Sequence, residues 1–245
     1  MLTMKTIIIS IIGSMIIGYG FGCINISYII SRLHGFDIRK YGSGNAGASN
    51  VIIVMGKKIG FFAAIFDILK AFFAVVIARW CFEDAIVSNI NYAGFVAGAF
   101  SIVGHIAPFY MKFKGGKGLA SLGGTILATD VKLFAVLLLC AVVIAIATDY
   151  ICFVPVSIVV AFPVICSYTS KTLWPLVIFI IPILMVWYRH IENFKRIQSG
   201  AELRFHFLWN RQSEAERLGV VDDGKAIFEN EVDKDNYNIN HGLKS

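Results

Sequence analysis

The 245-residue chain is 57% hydrophobic and 16% charged, with a mean hydropathy of +0.72 and a formal net charge of +6. Soluble domains carry about 25% charged residues, so this composition excludes an ordinary soluble protein and indicates a protein embedded in a bilayer. The basic residues lie mainly in short segments between apolar runs, as the positive-inside rule requires. We therefore expect the lipid bilayer as a partner, and no nucleic acid.

The five cysteines are scattered through apolar segments without any paired spacing, so we expect neither a disulfide nor a metal site, and no cofactor. The alternating apolar and polar pattern of an outer-membrane barrel is absent from the sequence. The first apolar run is too long for the core of a cleaved signal peptide, and we interpret it as a retained helix.

Seven apolar segments follow one another along the chain, several of them with the roughly 17–25 residues that cross a bilayer core. The fourth and fifth are short, and they correspond either to two helices or to one helix broken at Asp130. The fold class is therefore an all-α integral membrane protein with about seven transmembrane helices, or with five crossings if the short segments merge or lie in the interface. The segments are residues 6–31, 59–82, 92–111, 119–129, 132–148, 150–168 and 172–188.

The charges of the loops predict the orientation of these helices. The loops at 32–58 and 112–118 are basic, as is the segment after the last apolar run, whereas the loop at 83–91 contains no basic residue. Basic loops belong in the cytoplasm, so the N-terminus is predicted outside and the C-terminus inside. We divide the chain into a polytopic membrane domain at 1–204 and a polar cytoplasmic tail at 205–245, which we predict to be mobile.

The first of three polar clusters on the predicted cytoplasmic side reads GSGNAGASN. Glycines allow backbone N–H groups to turn toward an anion, and serine and asparagine add hydrogen-bond donors. The alternative is close helix packing by small residues at a re-entrant turn, although such packing does not by itself call for amides. The candidate phosphate-binding residues of this cluster are Gly42, Gly44, Asn45, Ser49 and Asn50.

The second cluster ends in KGGKG, which combines two lysines with three glycines at the predicted start of a helix. Lysine supplies a point charge to a phosphate, and glycine permits a close approach of the backbone, so Lys114, Gly115, Gly116 and Lys117 are candidate ligands. The alternative for the lysines is a purely topogenic role. His105, one or two turns deeper, is either a substrate-binding residue or a packed one.

The third cluster, RHIENFKRIQSGAE, begins at residue 189. His190 and Asn193 lie three residues apart and so share one helical face, while Glu192 and Arg196 have the spacing of an ion pair. The alternative is an amphipathic interfacial helix with ordinary ion pairs.

Two charged residues, Asp67 and Lys70, lie inside the second apolar segment. Charged residues within a span usually pair with each other or face a polar cavity. We predict an internal ion pair that supports the site.

Taken together, the three clusters resemble the motifs of the PlsY family of bacterial membrane glycerol-3-phosphate acyltransferases. GSGNAGASNV, GHIAPFYMKFKGGKGLAS and HIENFKRIQSGAE occur in the family's order, within a resemblance that spans about residues 15–204. The resemblance implies a multi-pass protein of the bacterial cell membrane with its active site facing the cytoplasm. It also implies acyl transfer from acyl phosphate to the sn-1 hydroxyl of glycerol-3-phosphate, which gives lysophosphatidate for phospholipid synthesis, downstream of an enzyme that produces acyl phosphate.

Carried over position by position, the resemblance places Ser43, Lys117, His190 and Asn193 in the site, with Glu202 as a supporting residue. Ser43, Lys117 and His190 are the candidate catalytic residues, and Asn193 is a candidate substrate ligand. The base is either His190 or a phosphate oxygen of a substrate. A Ser43 acyl-enzyme is disfavoured because no Ser-His-Asp order is legible.

Two positions depart from the arginines of the family's pattern. The first motif of the family continues NV-x-R with an arginine that binds phosphate, whereas Ile53 stands there in this chain, and Ile191 replaces an arginine of the third motif. Lys57, about one turn further along, is the candidate that compensates for the lost arginine. The first alternative function is therefore a paralogue with a different acceptor or little activity. The second is a small-anion transporter, which is disfavoured because the polar residues crowd one face.

Overall fold

The computed structural model describes residues 4–82, 86–87, 90–217, 221–222 and 225–226. Each of the seven predicted apolar segments is helical in this part of the chain. The prediction of an all-α integral membrane protein is confirmed.

The ten described helices are α1 Met4–Cys23, α2 Ile26–Leu33, α3 Ala48–Met55, α4 Lys57–Cys81, α5 Tyr92–Ile106, α6 Leu119–Thr129, α7 Val131–Thr148, α8 Phe153–Ser170, α9 Trp174–Gln198 and α10 Arg211–Arg217. Short 3₁₀ turns cover Ile38–Lys40, Phe109–Met111 and Phe205–Leu208. Two antiparallel pairs of two-residue strands complete the described structure: β1 Ile86–Val87 with β2 Ile90–Asn91, and β3 Val221–Asp222 with β4 Lys225–Ala226.

Six segments of the described chain are long and apolar enough to cross a membrane: Met4–Leu33, Lys57–Cys81, Tyr92–Met111, Val131–Thr148, Phe153–Ser170 and Trp174–Gln198. The seventh, α6, has only 11 residues. At about 1.5 Å per residue it is too short to cross a core of roughly 30 Å by itself.

Asp130 separates α6 from α7, so the structure has two helices where the sequence left two arrangements open. Its Oδ1 accepts hydrogen bonds from the N–H groups of Lys132 at 2.8 Å and Leu133 at 3.0 Å, which caps the start of α7. The number of crossings and their orientation remain predictions.

The surface of α7 shows why the chain needs a bilayer. Val136, Leu139, Val143 and Ile146 are all more than half exposed and recur every three or four residues. Such a row of apolar side chains is unfavourable in water, and hydrocarbon solvates it.

Three phenylalanine rings join α5, α8 and α9 in the interior. The ring of Phe162 stacks on that of Phe95 at 5.8 Å between centroids and meets the edge of Phe179 at 5.2 Å. Aromatic pairs of this kind are worth about 0.5–1.5 kcal/mol beyond the area they bury. They fix the relative position of the helices that carry the second and third clusters.

The close crossing of α1 and α5 depends on two glycines. A Cβ atom on Gly18 would lie 2.2 Å from the carbonyl oxygen of Ala97, and one on Gly22 would lie 2.3 Å from that of Ser101. Small residues four apart allow two helix backbones to approach in a membrane, where burial of apolar surface gives little driving force.

Residues 205–217 pack against the membrane domain. Phe207 is 1% exposed and belongs to an apolar cluster with Ile38, Ile53 and Met111, while Glu214 is 2% exposed. The predicted boundary at residue 204 therefore does not mark the end of packed structure. The rest of the predicted mobile tail, apart from β3 and β4, lies outside the described residues.

Replacing Gly22 with alanine is expected to lower the midpoint of thermal unfolding in detergent, because the new methyl group overlaps the backbone of Ser101. Overpacking of this kind typically costs about 1–3 kcal/mol. Gly20→Ala is the matched control, since a Cβ atom at that position in α1 meets nothing within 4 Å. Equal midpoints for the two variants would contradict the close packing of α1 on α5.

Candidate functional site

A cavity of about 280 Å³ lies where the three polar clusters meet. Elements far apart in sequence form its wall: the loop before α3, the start of α6, the C-terminal half of α9 and the turn that follows it. The predicted site residues that the structure brings together in this wall are Ser43, Asn45, Ser49, Asp67, His105, Lys117, His190, Asn193 and Glu202.

Two helix N-termini border the cavity. Helix α3 begins after Gly47 and α6 after Gly118, and Ala48, Leu119 and Ala120 of their first turns belong to the wall. The N–H groups of a first turn have no intrahelical partner, and the helix dipole places partial positive charge there. An anion in this cavity would therefore be favoured by both helices.

Gly118 allows α6 to begin directly after Lys117. Its φ of +93° lies in the left-handed region, which glycine adopts without steric cost. Lys117 and the start of α6 consequently lie side by side in the wall.

The side chain of Lys117 lines the cavity and has an ammonium group with few partners. Its Nζ donates a hydrogen bond to Oδ1 of Asn193 at 2.5 Å, and no other partner of this ammonium occurs among the described residues. Burial lowers the pKa of Lys117 to about 8, and the charge of Arg196 also lowers it, whereas the carboxylate of Glu202 raises it. A partly desolvated ammonium with two unused N–H bonds gains much from a bound anion.

A chain of hydrogen bonds continues behind Lys117. Nδ2 of Asn193 donates to Oε1 of Glu202 at 2.5 Å, and Nε of Arg196 donates to Oε2 of Glu202 at 2.8 Å. Arg196 also lies 3.2 Å from Oε1 of Glu192, the ion pair that their spacing predicts. Since Glu202 holds the nitrogen of Asn193, the amide oxygen faces Lys117. The charge of Glu202 is balanced by Arg196, so it does not counteract the positive cavity.

His190 is oriented by its own helix. Its Nδ1 lies 2.7 Å from the carbonyl oxygen of Val186, so Nδ1 carries the proton and donates it to this carbonyl. Nε2 is then the proton acceptor of the neutral ring. The geometry gives His190, a residue of the cavity wall, the chemical form that a general base requires.

Asp67, Lys70 and His105 form a buried polar group beside the cavity. Nζ of Lys70 lies 2.7 Å from Oδ1 of Asp67, donates to the carbonyl of Ile24 at 2.7 Å and lies 3.0 Å from Nδ1 of His105. A buried ion pair of this kind is tolerated when further hydrogen bonds satisfy its charges. This contact with Lys70 fixes the orientation of the His105 ring.

Several predicted ligands lie outside the cavity wall. Asn50 is buried, and its Nδ2 shares its two N–H donors among the carbonyls of Ile38, Tyr41 and Asn45 at 3.0–3.1 Å. Its Oδ1 accepts from the N–H of Ser43 at 2.9 Å. The structure thus gives Asn50 a different role from the predicted phosphate ligand. A buried loop without regular structure needs an amide to satisfy its own backbone groups.

Gly115 and Gly116 pack against His105. Their N–H groups donate to the carbonyls of Ile106 and His105, both at 3.0 Å, so neither is directed at the cavity. A Cβ atom on Gly116 would lie 2.0 Å from Nε2 of His105. The structure places these glycines in close packing, where the sequence predicted a phosphate cradle.

The remaining predicted ligands are exposed. Lys57 and Lys114 point to the surface, so Lys57 is not placed to compensate for the missing arginine. Gly42 and Gly44 have φ values of +56° and +70°, which allow the turns of the loop before α3.

Ile53, at the position where the family's pattern has an arginine, is 2% exposed and packs in the apolar cluster with Ile38 and Phe207. Its neighbour Ile52 lines the cavity. Ile191 is 48% exposed and lies outside the cavity wall. Both isoleucines therefore replace arginines at positions that do not face the cavity in this chain.

Sequence reasoning missed three contributions to the site. Arg39 donates to the carbonyls of Met111 at 2.9 Å and Lys114 at 3.3 Å, and Arg189 donates to that of Gly115 at 3.0 Å, so both hold the KGGKG loop. These arginines had no signal beyond ordinary topogenic charge. Phe207 and Leu208 line the cavity from beyond the resemblance, where no motif could indicate them.

Comparisons with known proteins identify the family to which this chain belongs. A family model described as glycerol-3-phosphate acyltransferase matches residues 12–200. Glycerol-3-phosphate acyltransferase 1 of Oceanobacillus iheyensis is 34% identical over 200 residues, which cover 81% of this chain and 96% of that relative.

Two solved structures of PlsY, an integral membrane glycerol 3-phosphate acyltransferase, have a similar fold. The glycerol 3-phosphate form gives a TM-score of 0.71 at 30% identity, and the lysophosphatidic acid form gives 0.68 at 29%. Each comparison covers 81% of this chain and 97% of the solved one. The chain belongs to the PlsY family of integral membrane glycerol-3-phosphate acyltransferases.

Proposed function

We propose that this protein transfers an acyl group from acyl phosphate to the sn-1 hydroxyl of glycerol-3-phosphate and so produces lysophosphatidate. The observation that carries the proposal is the convergence of Lys117, Asn193 and two helix N-termini on one cavity. The similarity to PlsY in its glycerol 3-phosphate and lysophosphatidic acid forms supports both this acceptor and this product.

The phosphate groups of the substrates bind at the positive side of the cavity. Lys117 provides a charge-assisted hydrogen bond, and the first-turn N–H groups of α3 and α6 provide neutral ones. Ser43, Ser49 and Asn45 add side-chain donors in the same wall. This set of donors fits a phosphate better than it fits an uncharged acceptor.

The acyl chain extends from this cavity toward a neighbouring apolar one. A second cavity of about 60 Å³ between α6, α7 and α8 is lined by Leu122, Ile126, Leu137 and other apolar residues. Leu119 lines both cavities. An acyl chain that enters the second cavity would therefore pass Leu119, which follows Gly118 and Lys117 in the chain.

The reaction proceeds by direct transfer. The acceptor hydroxyl oxygen forms a bond to the acyl carbon, the bond from that carbon to the phosphate oxygen breaks, and phosphate leaves. Lys117 and the helix N-termini stabilise the charge on the leaving phosphate. The hydroxyl proton passes to Nε2 of His190 or to a substrate phosphate oxygen.

A Ser43 acyl-enzyme does not fit this site as well. In the part of the chain that the structure describes, no histidine or carboxylate is hydrogen-bonded to the hydroxyl of Ser43. Without such a base the hydroxyl is a weak nucleophile. Ser43 instead acts as a hydrogen-bond donor to substrate.

We also propose that the protein lies in the bacterial cell membrane with this cavity facing the cytoplasm, the N-terminus outside and the C-terminus inside. The basic loops around the cavity support this orientation. The donor then comes from an enzyme that produces acyl phosphate on the cytoplasmic side.

Lys117→Ala is expected to lower kcat/KM for glycerol-3-phosphate by about 10- to 150-fold, because a charge-assisted bond is worth about 1.5–3 kcal/mol. Lysophosphatidate formation by purified protein in lipid, with acyl phosphate and glycerol-3-phosphate, measures this. Lys114→Ala is the matched control from the same loop, and its exposed side chain predicts unchanged kinetics. An unaffected Lys117→Ala enzyme would refute the proposed phosphate site.

The activity is expected to fall at high pH as Lys117 loses its proton. The pKa of this ammonium is lowered to about 8, so the cation is present below that pH and is lost as the pH rises through it. The plot of kcat/KM against pH, which reports the free enzyme, should bend downward near 8. Lys117→Arg should move the bend to higher pH, since a guanidinium stays protonated. A bend at the same pH in both enzymes would assign it to another group.

Restoring the arginine of the family's pattern tests the paralogue alternative. Ile53→Arg is expected to lower the thermal midpoint far more than Ile53→Val, because it buries a charge among apolar side chains. The valine variant loses only a methylene, worth about 0.5–1.5 kcal/mol. A stable Ile53→Arg enzyme with raised activity would instead show that the site lacks a phosphate ligand.

A further inference from the structure

The segment at residues 205–217 lies beyond the family match, which ends at residue 200, yet it contacts the site from two directions. Phe207 and Leu208 form part of the cavity wall, and α10 packs near α3. The segment is therefore placed to influence the groups of the cavity wall.

Arg217 holds the turn that carries Glu202. Its Nη1 donates to the carbonyl oxygen of Gly200 at 2.5 Å, and its Nη2 donates to that of Glu202 at 2.6 Å. The turn itself reverses the chain after α9, because the N–H groups of Ala201 and Glu202 both donate to the carbonyl of Arg196. Arg217 therefore fixes the backbone from which the Glu202 side chain reaches Asn193.

Glu214 in turn fixes Arg217. Its carboxylate accepts Nε of Arg217 at 3.0 Å and Nη2 at 2.7 Å, and also the N–H of Arg204 at 3.2 Å. The carboxylate is 2% exposed, whereas the side chain of Arg217 is 28% exposed. A bidentate carboxylate–guanidinium pair adds geometric specificity to its charge-assisted hydrogen bonds.

A second anchor ties the segment to the end of α7. Nδ1 of His206 lies 3.0 Å from Oδ2 of Asp149, and the N–H of Phe205 donates to the carbonyl of Asp149 at 2.6 Å. Nε2 of His206 lies 3.3 Å from Oε1 of Glu214. The segment is thus bonded both to the α7–α8 connection and to the turn after α9.

We propose that Arg217 and Glu214 are positioning residues for the acyl-transfer site, acting through Glu202 and Asn193 on Lys117. The contacts form a continuous chain. Arg217 donates to the backbone carbonyl of Glu202, and the carboxylate of Glu202 accepts a hydrogen bond from Asn193. The amide oxygen of Asn193 in turn accepts a hydrogen bond from Lys117. This inference rests on the proposed function, because it concerns the group that binds the substrate phosphate.

The same contacts also contribute to the pKa of Lys117, which burial lowers most. The charged groups that face it are Arg189, Glu192 and Arg196 on α9, and Glu202 in the following turn. The two arginines lower the pKa of Lys117 and the two carboxylates raise it. If the turn that carries Glu202 is no longer held, its carboxylate can move away from Lys117, and the pKa of Lys117 falls further. A general loss of stability does not predict this shift.

The test uses the full-length protein and compares Glu214 with Glu216, a second glutamate of α10. Glu214→Gln and Arg217→Ala should each reduce kcat/KM for glycerol-3-phosphate about 10-fold, chiefly through KM, and should move the fall in activity at high pH to lower pH. Arg217→Lys should retain part of the kcat/KM that Arg217→Ala loses. Glu216→Gln is the matched control, because that side chain is exposed.

A double-variant cycle then separates positioning from general destabilisation. If Arg217 acts through Glu202, Arg217→Ala should reduce kcat/KM much less in the Glu202→Gln background than in the wild type. Wild-type kinetics and pH dependence in Arg217→Ala, or fully additive losses in the double variant, would overturn the proposal.

Failure of the proposed function would look different. In that case the wild-type protein forms no lysophosphatidate from acyl phosphate and glycerol-3-phosphate. The positioning contact is then measured as the non-additivity of Arg217→Ala and Glu202→Gln in thermal unfolding, and additive midpoints would overturn it independently.

Discussion

The carboxylate of Glu202 is the contact on which the polar side of the cavity depends. It is 5% exposed, and its two oxygens accept bonds from Asn193 and Arg196. A buried carboxylate is costly unless it is paired and hydrogen-bonded, so this residue is stable only where both partners meet it. In return it directs the oxygen of Asn193 at Lys117 and balances the nearby guanidinium. The cavity can then keep one desolvated ammonium for an anion.

Burial imposes the second constraint, because polar groups that are removed from water must find partners in the protein. The loop before α3 meets this need with Asn50, whose amide serves three carbonyls and one N–H group. The KGGKG loop meets it with glycine N–H groups bonded to the end of α5, and with Arg39 and Arg189 bonded to its carbonyls. Much of the polarity of both motifs thus stabilises the loops, while a smaller set of residues faces the substrate cavity.

The apolar cluster under α3 explains the departure at Ile53. Ile38, Met111 and Phe207 surround this position, and Phe207 comes from the segment beyond the family match. Ile53 and Phe207 belong to the same close-packed apolar cluster. An apolar residue at 53 therefore suits an apolar side chain at 207. Positive charge in the cavity comes from Lys117 and from the starts of α3 and α6.

The sequence by itself determined the membrane class, the helical character of the seven apolar segments and the grouping of polar motifs between them. Their bounds were less exact, since α9 continues ten residues beyond the predicted end at 188 and the first segment is divided into α1 and α2. It also determined the pairs Asp67–Lys70 and Glu192–Arg196, because charges three or four apart on a helix are neighbours whatever surrounds them. Only the tertiary structure decided which motif residues face the cavity. The sequence does not distinguish Asn45 from Asn50, or Lys114 from Lys117. Packing against distant elements places Asn45 and Lys117 in the cavity wall and leaves Asn50 and Lys114 outside it. The inward packing of residues 205–217 was likewise invisible in a polar stretch, because its contacts with Glu202 and Asp149 join positions that local sequence does not relate.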